Sequence, residues 1–304
     1  MRKERQIFQR AMDQVRNIDD ADVVNMSFGF PPQEKDSAAR RVNRAVSEEG
    51  IMVVAAAGNE GPEYNTITSP GIARNAVTVG SCNLSRRISG FSSRGPTNHE
   101  FRVKPDLVAL GENIVGASPT TKPNEGQTTV ESGTSFAVPI VVGGIGLILQ
   151  AHPEWSHERI KNALVTTAEP LSDGDGLYDI YTQGAGVAQI EPAVDTNIIV
   201  MDSIVNFGCV QAGRELSKEI RIQNLDTETK TLDIEYMMQE VHSGLDLSQD
   251  VNIQPDRITI PQESVELIQL TVDTTGNYGI HSGRILYDDT ELKHQYTSLF
   301  GYTS

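Results

Sequence analysis

The sequence predicts an α/β fold, a parallel sheet with helices on both faces, followed by an all-β sandwich. Three observations predict it. Up to about residue 194, short continuous apolar runs alternate with helix-like stretches, the pattern of strands buried on both faces. After about residue 197, period-2 alternation replaces the helical rhythm. Charge changes at the same place: residues 195–304 hold 18 of the 41 acidic residues but only 7 of the 25 basic ones. The reading is therefore two domains, 1–194 and 195–304.

Each element has its own signal. Residues 2–17 place Ile7, Met12 and Val15 among charges, which suggests an amphipathic helix. Residues 21–28 (A-D-V-V-N-M-S-F) read as a strand that stops at Gly29 ahead of Pro31 and Pro32. A helix over 36–49 gathers Ala39, Val42, Ala45 and Val46 on one face. Residues 51–57 and 76–79 are continuous apolar strands. Residues 133–151 are apolar nearly all round, as a buried helix is. In the helix that follows, Ser156 is the N-cap, Glu158 lies in the first turn, and Ile160, Ala163 and Leu164 form the inner face. In the second half, 218–223, 231–236, 257–260, 265–272 and 284–287 alternate as strands, and about seven strands in all make a sandwich.

Composition removes several function classes. Net charge is −16, and no basic run exists for a phosphate backbone to meet, so no nucleic acid is expected. The two cysteines, Cys82 and Cys209, are far apart, which excludes a disulfide framework and a structural zinc cluster. The sequence reads as having no run of about 18 apolar residues, so no membrane span is expected. The first ten residues lack the apolar stretch of a signal peptide.

Three segments carry possible chemistry. S-G-T-S-F-A-V-P, residues 132–139, opens the apolar helix. A serine there lies near free backbone N–H groups and the positive end of the helix dipole, donors that can hold the oxyanion formed when Ser135 attacks a carbonyl. An ordinary N-cap at Ser132, Thr134 or Ser135 is the plainer alternative. A-A-A-G-N-E-G, residues 55–61, ends a strand in the crevice where α/β sheets bind ligands. Asn59 offers an uncharged N–H donor there, and a turn asparagine is the alternative. Ser27, Phe28 and Gly29 end the first strand with backbone free to pair with an extended peptide, or form an ordinary strand end.

With F-S-S-R-G-P at 91–96 and K-P-D-L-V-A-L-G at 104–111, these segments resemble, in order and rough spacing, the subtilisin-like serine proteases, the subtilase family. The resemblance runs over about residues 5–194. It implies a subtilisin-like sheet with Ser135 as the nucleophile. It further implies Asn59 and the Ser135 backbone N–H as oxyanion donors, and Ser27, Phe28 and Gly29 as the strand that pairs with an extended polypeptide substrate. Ala56, Ala57 and Gly58 match one wall of the pocket for the side chain before the scissile bond, with Glu60 at its rim. Ile140 stands where the family commonly has histidine, and Leu110 where it has proline. The β half resembles the fibronectin-III-like domain appended to many larger subtilases. Family members often bind structural calcium, but no loop here has a spacing that names ligands. His242, Asp246 and Asp250 read as a solvated acidic loop rather than a metal cluster. No cofactor is expected, and the family leans extracellular.

The family's triad also needs an aspartate in a D-[ST]-G segment and a histidine in an H-G-T segment, both upstream of the serine. The six histidines are His99, His152, His157, His242, His281 and His294. None precedes a glycine, and all follow the 21–28 strand. Asp273 begins D-T-T-G, one residue too long, in the β half. The expectation is therefore the C-terminal part of a subtilase that starts downstream of Asp and His. Such a chain is inactive alone, and its first strand, carrying Val23, Val24 and Met26, lacks a neighbour on one edge. The alternatives are a pseudoprotease that binds extended peptides without cutting them, or a gene remnant.

Overall fold

Two strands without an exposed face, β2 (Met52–Ala56) and β3 (Val77–Cys82), are buried along their whole length and form the middle of a parallel sheet. The computed structural model describes residues 2–17, 21–118, 128–174, 176–274, 278–289 and 295–304. Strands β1 (Val23–Met26) and β4 (Leu107–Leu110) flank the pair, giving the order β1-β2-β3-β4. The register starts at Val23 opposite Met52, Val54 opposite Val77 and Val79 opposite Leu107.

Alternate residues of β2 feed two cores. Val53 and Ala55 face α1 (Arg2–Asn17) and α2 (Ser37–Glu48) through Phe8, Met12, Val42 and Ala45. Met52, Val54 and Ala56 face α3 (Thr134–Ala151), α4 (His157–Thr166) and α6 (Ile190–Asp195). Helices thus cover both faces. Asp36 caps α2 by accepting from Ala38 N and Ala39 N at 3.0 and 2.9 Å, and Ser156 caps α4 by accepting from Arg159 N at 3.2 Å. A hairpin of β5 (Ile114–Ala117) and β6 (Thr128–Glu131) precedes α3.

Against the expectation of no membrane-length segment, α3 has 18 residues, no charge, and enough apolar character to cross a membrane by length and composition. It packs across all four strands of the sheet, and Val138, Val141, Ile145 and Ile148 are fully buried, which is the placement of a core helix. Its opposite side is apolar too: Pro139, Ile140, Gly143 and Leu147 are exposed.

The K-P-D segment is structural. Asp106, wholly buried, accepts from Thr78 N and Lys104 Nζ at 2.6 Å each and pairs with Lys161 at 3.0 Å, tying β4 to β3 and to α4. Burial pulls Lys104 down from 10.5 to about 7. Burial also works to raise the Asp106 carboxyl, but the two ammonium groups outweigh it and hold the carboxyl below its ordinary range. Between pH 7 and 10 the unfolded chain holds a proton on Lys104 that the folded chain has lost, so this group makes stability rise with pH across that window. Urea unfolding at pH 7 and pH 9 should show wild type gaining more stability than Lys104→Met over the interval; equal gains would refute the depressed lysine.

Beyond α6 the chain forms two antiparallel layers. One has the order β12 (Arg257–Ile260), β10 (Lys230–Glu240), β14 (Ile280–Asp289), β15 (Gln295–Thr303), β8 (Ile204–Cys209), in which the β15–β8 pair is parallel. The other is β11 (Val251–Gln254), β13 (Val265–Asp273), β9 (Glu215–Asn224), β7 (Ile198–Val200). Ile220, Ile222, Ile268 and Leu270 of the second layer meet Leu232, Ile285, Tyr287 and Phe300 of the first in one core. The joint with the α/β half is buried. Arg284 of β14 donates to the carbonyls of Ala185 and Gly184 at 2.7 and 2.9 Å, just beyond the short helix α5 (Ile180–Gln183). Tyr181 of α5 donates to the His281 carbonyl at 3.2 Å.

Candidate active site

The first turn of α3 lies at the C-terminal ends of β1 and β2, where a parallel sheet leaves an open crevice. Thr134 and Ser135 are its first two helical residues, and Gly133 is its N-cap, without a side-chain capping bond. The N–H groups of a first turn have no helical partner. Here Thr134 N donates to Asn59 Oδ1 at 2.9 Å and Phe136 N to the Gly133 carbonyl at 3.0 Å. The Ser135 N–H takes no partner among the described residues.

Asn59 lies three residues beyond the end of β2. Its Oδ1 also accepts from Thr134 Oγ1 at 3.0 Å. Because a backbone N–H can only donate, the atom facing Thr134 must be the amide oxygen, which fixes the amide's orientation. The Nδ2 group is then the free donor of this side chain. Thr134, which the sequence marks only as a possible N-cap, is what orients Asn59; the T of G-T-S is its only signal.

Ser27 faces Ser135 from the end of β1. Ser135 Oγ donates to the Ser27 carbonyl at 2.9 Å, and Ser27 Oγ lies 2.9 Å from the Ser135 carbonyl. The fold thus brings Ser27, Asn59 and Ser135 together from three elements. Phe28 is 42% exposed and rests against Phe8 and Phe30. A Cβ on Gly29 would lie 2.3 Å from Thr68 Oγ1, so only glycine lets the loop at 66–70 approach this strand end.

Ala56, Ala57 and Gly58 are placed differently from one another. The Ala56 methyl lies in the α3-side core and the Ala57 methyl in the opposite one, so neither side chain faces the crevice. Gly58 has φ +116°, and a Cβ there would lie 2.7 Å from both Ser93 Oγ and Thr68 Cγ2. Ser93 N donates to the Gly58 carbonyl at 3.0 Å and Ser93 Oγ accepts from Glu60 N at 3.1 Å, so F-S-S-R-G-P clamps the Asn59 loop. Glu60 is exposed.

No histidine among the described residues hydrogen-bonds Ser135. His152 stacks on Trp155, His281 on Tyr302, and His242 meets the edge of Tyr64. His294 lies outside the described residues. Among the described residues, no three His, Cys, Asp or Glu side chains are grouped to hold a metal ion.

Comparison with known proteins agrees on the family. The Subtilase family model (peptidase S8) matches residues 2–189. The minor extracellular protease Vpr of Bacillus subtilis is 37% identical over 159 residues, 50% of this chain and 20% of that protein. The serine protease AprX of the same species is 34% identical over 194 residues, 57% of this chain and 42% of AprX. Subtilisin E is 36% identical over 167 residues, 52% of this chain and 40% of that protein. The chain thus spans less than half the length of these curated relatives. The solved structure of the prenylagaramide maturation protease PagA superposes with a TM-score of 0.51 at 28% identity, covering 61% of this chain and 65% of PagA. With the family model matched over more than half its length, and with the first turn of α3, the asparagine loop and the end of β1 converging as described, this chain belongs to the Subtilase family.

Proposed function

We propose that this chain carries the nucleophile and oxyanion half of a serine endopeptidase site, and that a further segment, in the same polypeptide or a separate one, supplies the aspartate and histidine. The observation that carries this reading is the convergence of a serine hydroxyl, its own backbone N–H and an oriented asparagine amide, with no partner for that N–H and no base bonded to the serine among the described residues. A hydroxyl needs an adjacent base to become a good nucleophile. Two surfaces support where that segment docks. Strand β1 is hydrogen-bonded to β2 alone among the described strands, which leaves its other edge open. The side of α3 that faces away from the sheet, with Ile140 and Leu147, is a second uncovered apolar surface. A strand that pairs with β1 and a helix that covers α3 would fill both.

In the completed site an extended peptide pairs with the backbone at Ser27, Phe28 and Gly29. Ser135 Oγ attacks the scissile carbonyl while the supplied histidine takes its proton, and the aspartate orients that histidine. The tetrahedral oxyanion is held by the Ser135 N–H and Asn59 Nδ2. The histidine returns the proton to the leaving amine, and water then releases the acyl group by the same steps in reverse roles.

The test is complementation. A subtilase segment bearing D-[ST]-G and H-G-T is co-expressed with the chain, and hydrolysis of a chromogenic peptide is followed. Activity is expected from the pair and from neither part alone. Robust cleavage by the chain alone that is lost in Ser135→Ala would overturn the divided site. One observation favours a second reading: the Ser135 hydroxyl is engaged by the Ser27 carbonyl, a resting arrangement suited to holding a peptide uncut. Peptide binding without cleavage in the complemented pair would select it.

A further inference from the structure

Helix α3 contains a proline at its sixth position, Pro139. In an α-helix the N–H of residue 139 would bond to the carbonyl of residue 135. Proline has no N–H, and its ring crowds the carbonyl four residues back. That carbonyl belongs to Ser135, so the residue bearing the proposed nucleophile is also the one whose carbonyl lacks its i+4 helical donor.

The Ser27 hydroxyl lies 2.9 Å from that carbonyl oxygen, 108 residues distant in sequence. The same Ser27 Oγ is 2.7 Å from Asn25 Oδ1. A hydroxyl has one proton, so it cannot donate to both. With the Asn25 amide turned so that Nδ2 faces Ser27, the bonds run donor to acceptor from Asn25 through Ser27 to Ser135. A second bond runs the other way, from Ser135 Oγ to the Ser27 carbonyl. Ser135 is therefore held to β1 at two atoms, its backbone oxygen and its hydroxyl.

We infer that the Ser27 side chain is a positioning residue for Ser135: its hydroxyl partners the carbonyl released by Pro139 and so fixes the first turn of α3 against the end of β1. This rests on the proposed function above for its catalytic consequence. The role differs from the backbone pairing assigned to Ser27, because it needs the hydroxyl and not the strand. The bond at the carbonyl persists when the Ser135 hydroxyl leaves the Ser27 carbonyl to attack substrate, so it is the one that can hold the nucleophile during the reaction. A displacement of about 1 Å at such a group costs on the order of 10²-fold in rate, so a partial loosening is measurable.

The experiment uses the complemented enzyme and four variants: Ser27→Ala, Ser27→Thr, Pro139→Ala and the double variant Ser27→Ala/Pro139→Ala. Pro139 is exposed, so alanine leaves no cavity and returns an N–H to the Ser135 carbonyl. Ser27→Ala should lower kcat about tenfold, the worth of one neutral hydrogen bond, with KM within about twofold. Ser27→Thr keeps the hydroxyl and should restore most of that loss. In the double variant Tm should recover, because the carbonyl has a helical partner again, while kcat stays low, because the tether to β1 is still missing. A Ser27→Ala kcat within about twofold of wild type would overturn the inference, as would a double variant in which kcat recovers with Tm. If complemented wild type shows no turnover, the parent reading has failed. The Tm cycle on the chain alone then decides this one, and effects of the two single variants that simply add in the double variant would overturn it.

Discussion

Ser135→Ala in the complemented enzyme is expected to reduce turnover by about 10⁶-fold with peptide binding unchanged, a magnitude known from subtilisin itself rather than derived for this chain. The size follows from what the residue supplies. Its hydroxyl forms the covalent intermediate, and the two hydroxyls bonded beside it are already engaged: Thr134 Oγ1 with Asn59 Oδ1, and Ser27 Oγ with the Ser135 carbonyl. The backbone N–H at position 135 survives the substitution, as does Asn59, so a residual rate over water should remain from oxyanion stabilisation and binding. Progress curves with the chromogenic peptide, together with peptide titration of the inactive variant, measure both numbers. A loss smaller than tenfold would remove Ser135 from the role of nucleophile.

Asn59→Asp should lower kcat by 10²-fold or more while leaving the fold intact. Loss of one such side-chain donor costs about 10²–10³ in turnover, again a range measured in subtilisin. Aspartate separates the two things Asn59 does. Its carboxylate can still accept from Thr134 N and Oγ1, as Oδ1 does now at 2.9 and 3.0 Å. A negative charge beside the first turn of α3 is also favourable to the helix dipole. What it cannot do is donate to an oxyanion, and its charge repels one. Asn59→Leu instead removes both functions, leaves Thr134 N without its partner, and should lose Tm as well as kcat. Equal Tm losses in the two variants would mean that the anchor to Thr134 contributes little. An Asn59→Asp enzyme with near wild-type kcat would refute the oxyanion role.

The α/β half was legible because its strands are extreme. Residues 51–57 can only be buried on both faces, and β2 is. The sandwich strands at 218–223, 231–236 and 265–272 were legible from alternation, since one face of each meets water. Strand β15 was not, because it is buried on both faces and its Q-Y-T-S-L-F-G-Y-T has no period of two. Strand β4 was read as a motif, since the K-P-D before it drew attention to charge, and the hairpin β5–β6 is short and mostly exposed. At the site, the types Ser135, Asn59 and Ser27 could be named from order and spacing. The bonds that orient them could not, because Thr134 to Asn59 and Ser27 to Ser135 join positions 75 and 108 residues apart. The inward methyls of Ala56 and Ala57 follow from strand alternation, which a motif match does not consider.

The buried guanidinium of Arg284 bears on how such proteins can be recombined. Burial draws it down to about 10, yet it is held by two carbonyls of the α/β half and by Thr297 Oγ1 at 3.1 Å. A sandwich transplanted onto a foreign partner would carry this cation to a surface that offers it no oxygens, and the abandoned α/β half would keep two carbonyls facing nothing. Exchange of the sandwich between relatives should therefore succeed only where the 184–185 turn travels with it. The unit of inheritance at this joint is a turn plus a sheet, and the point where the rhythm of the sequence changes is the wrong place to cut.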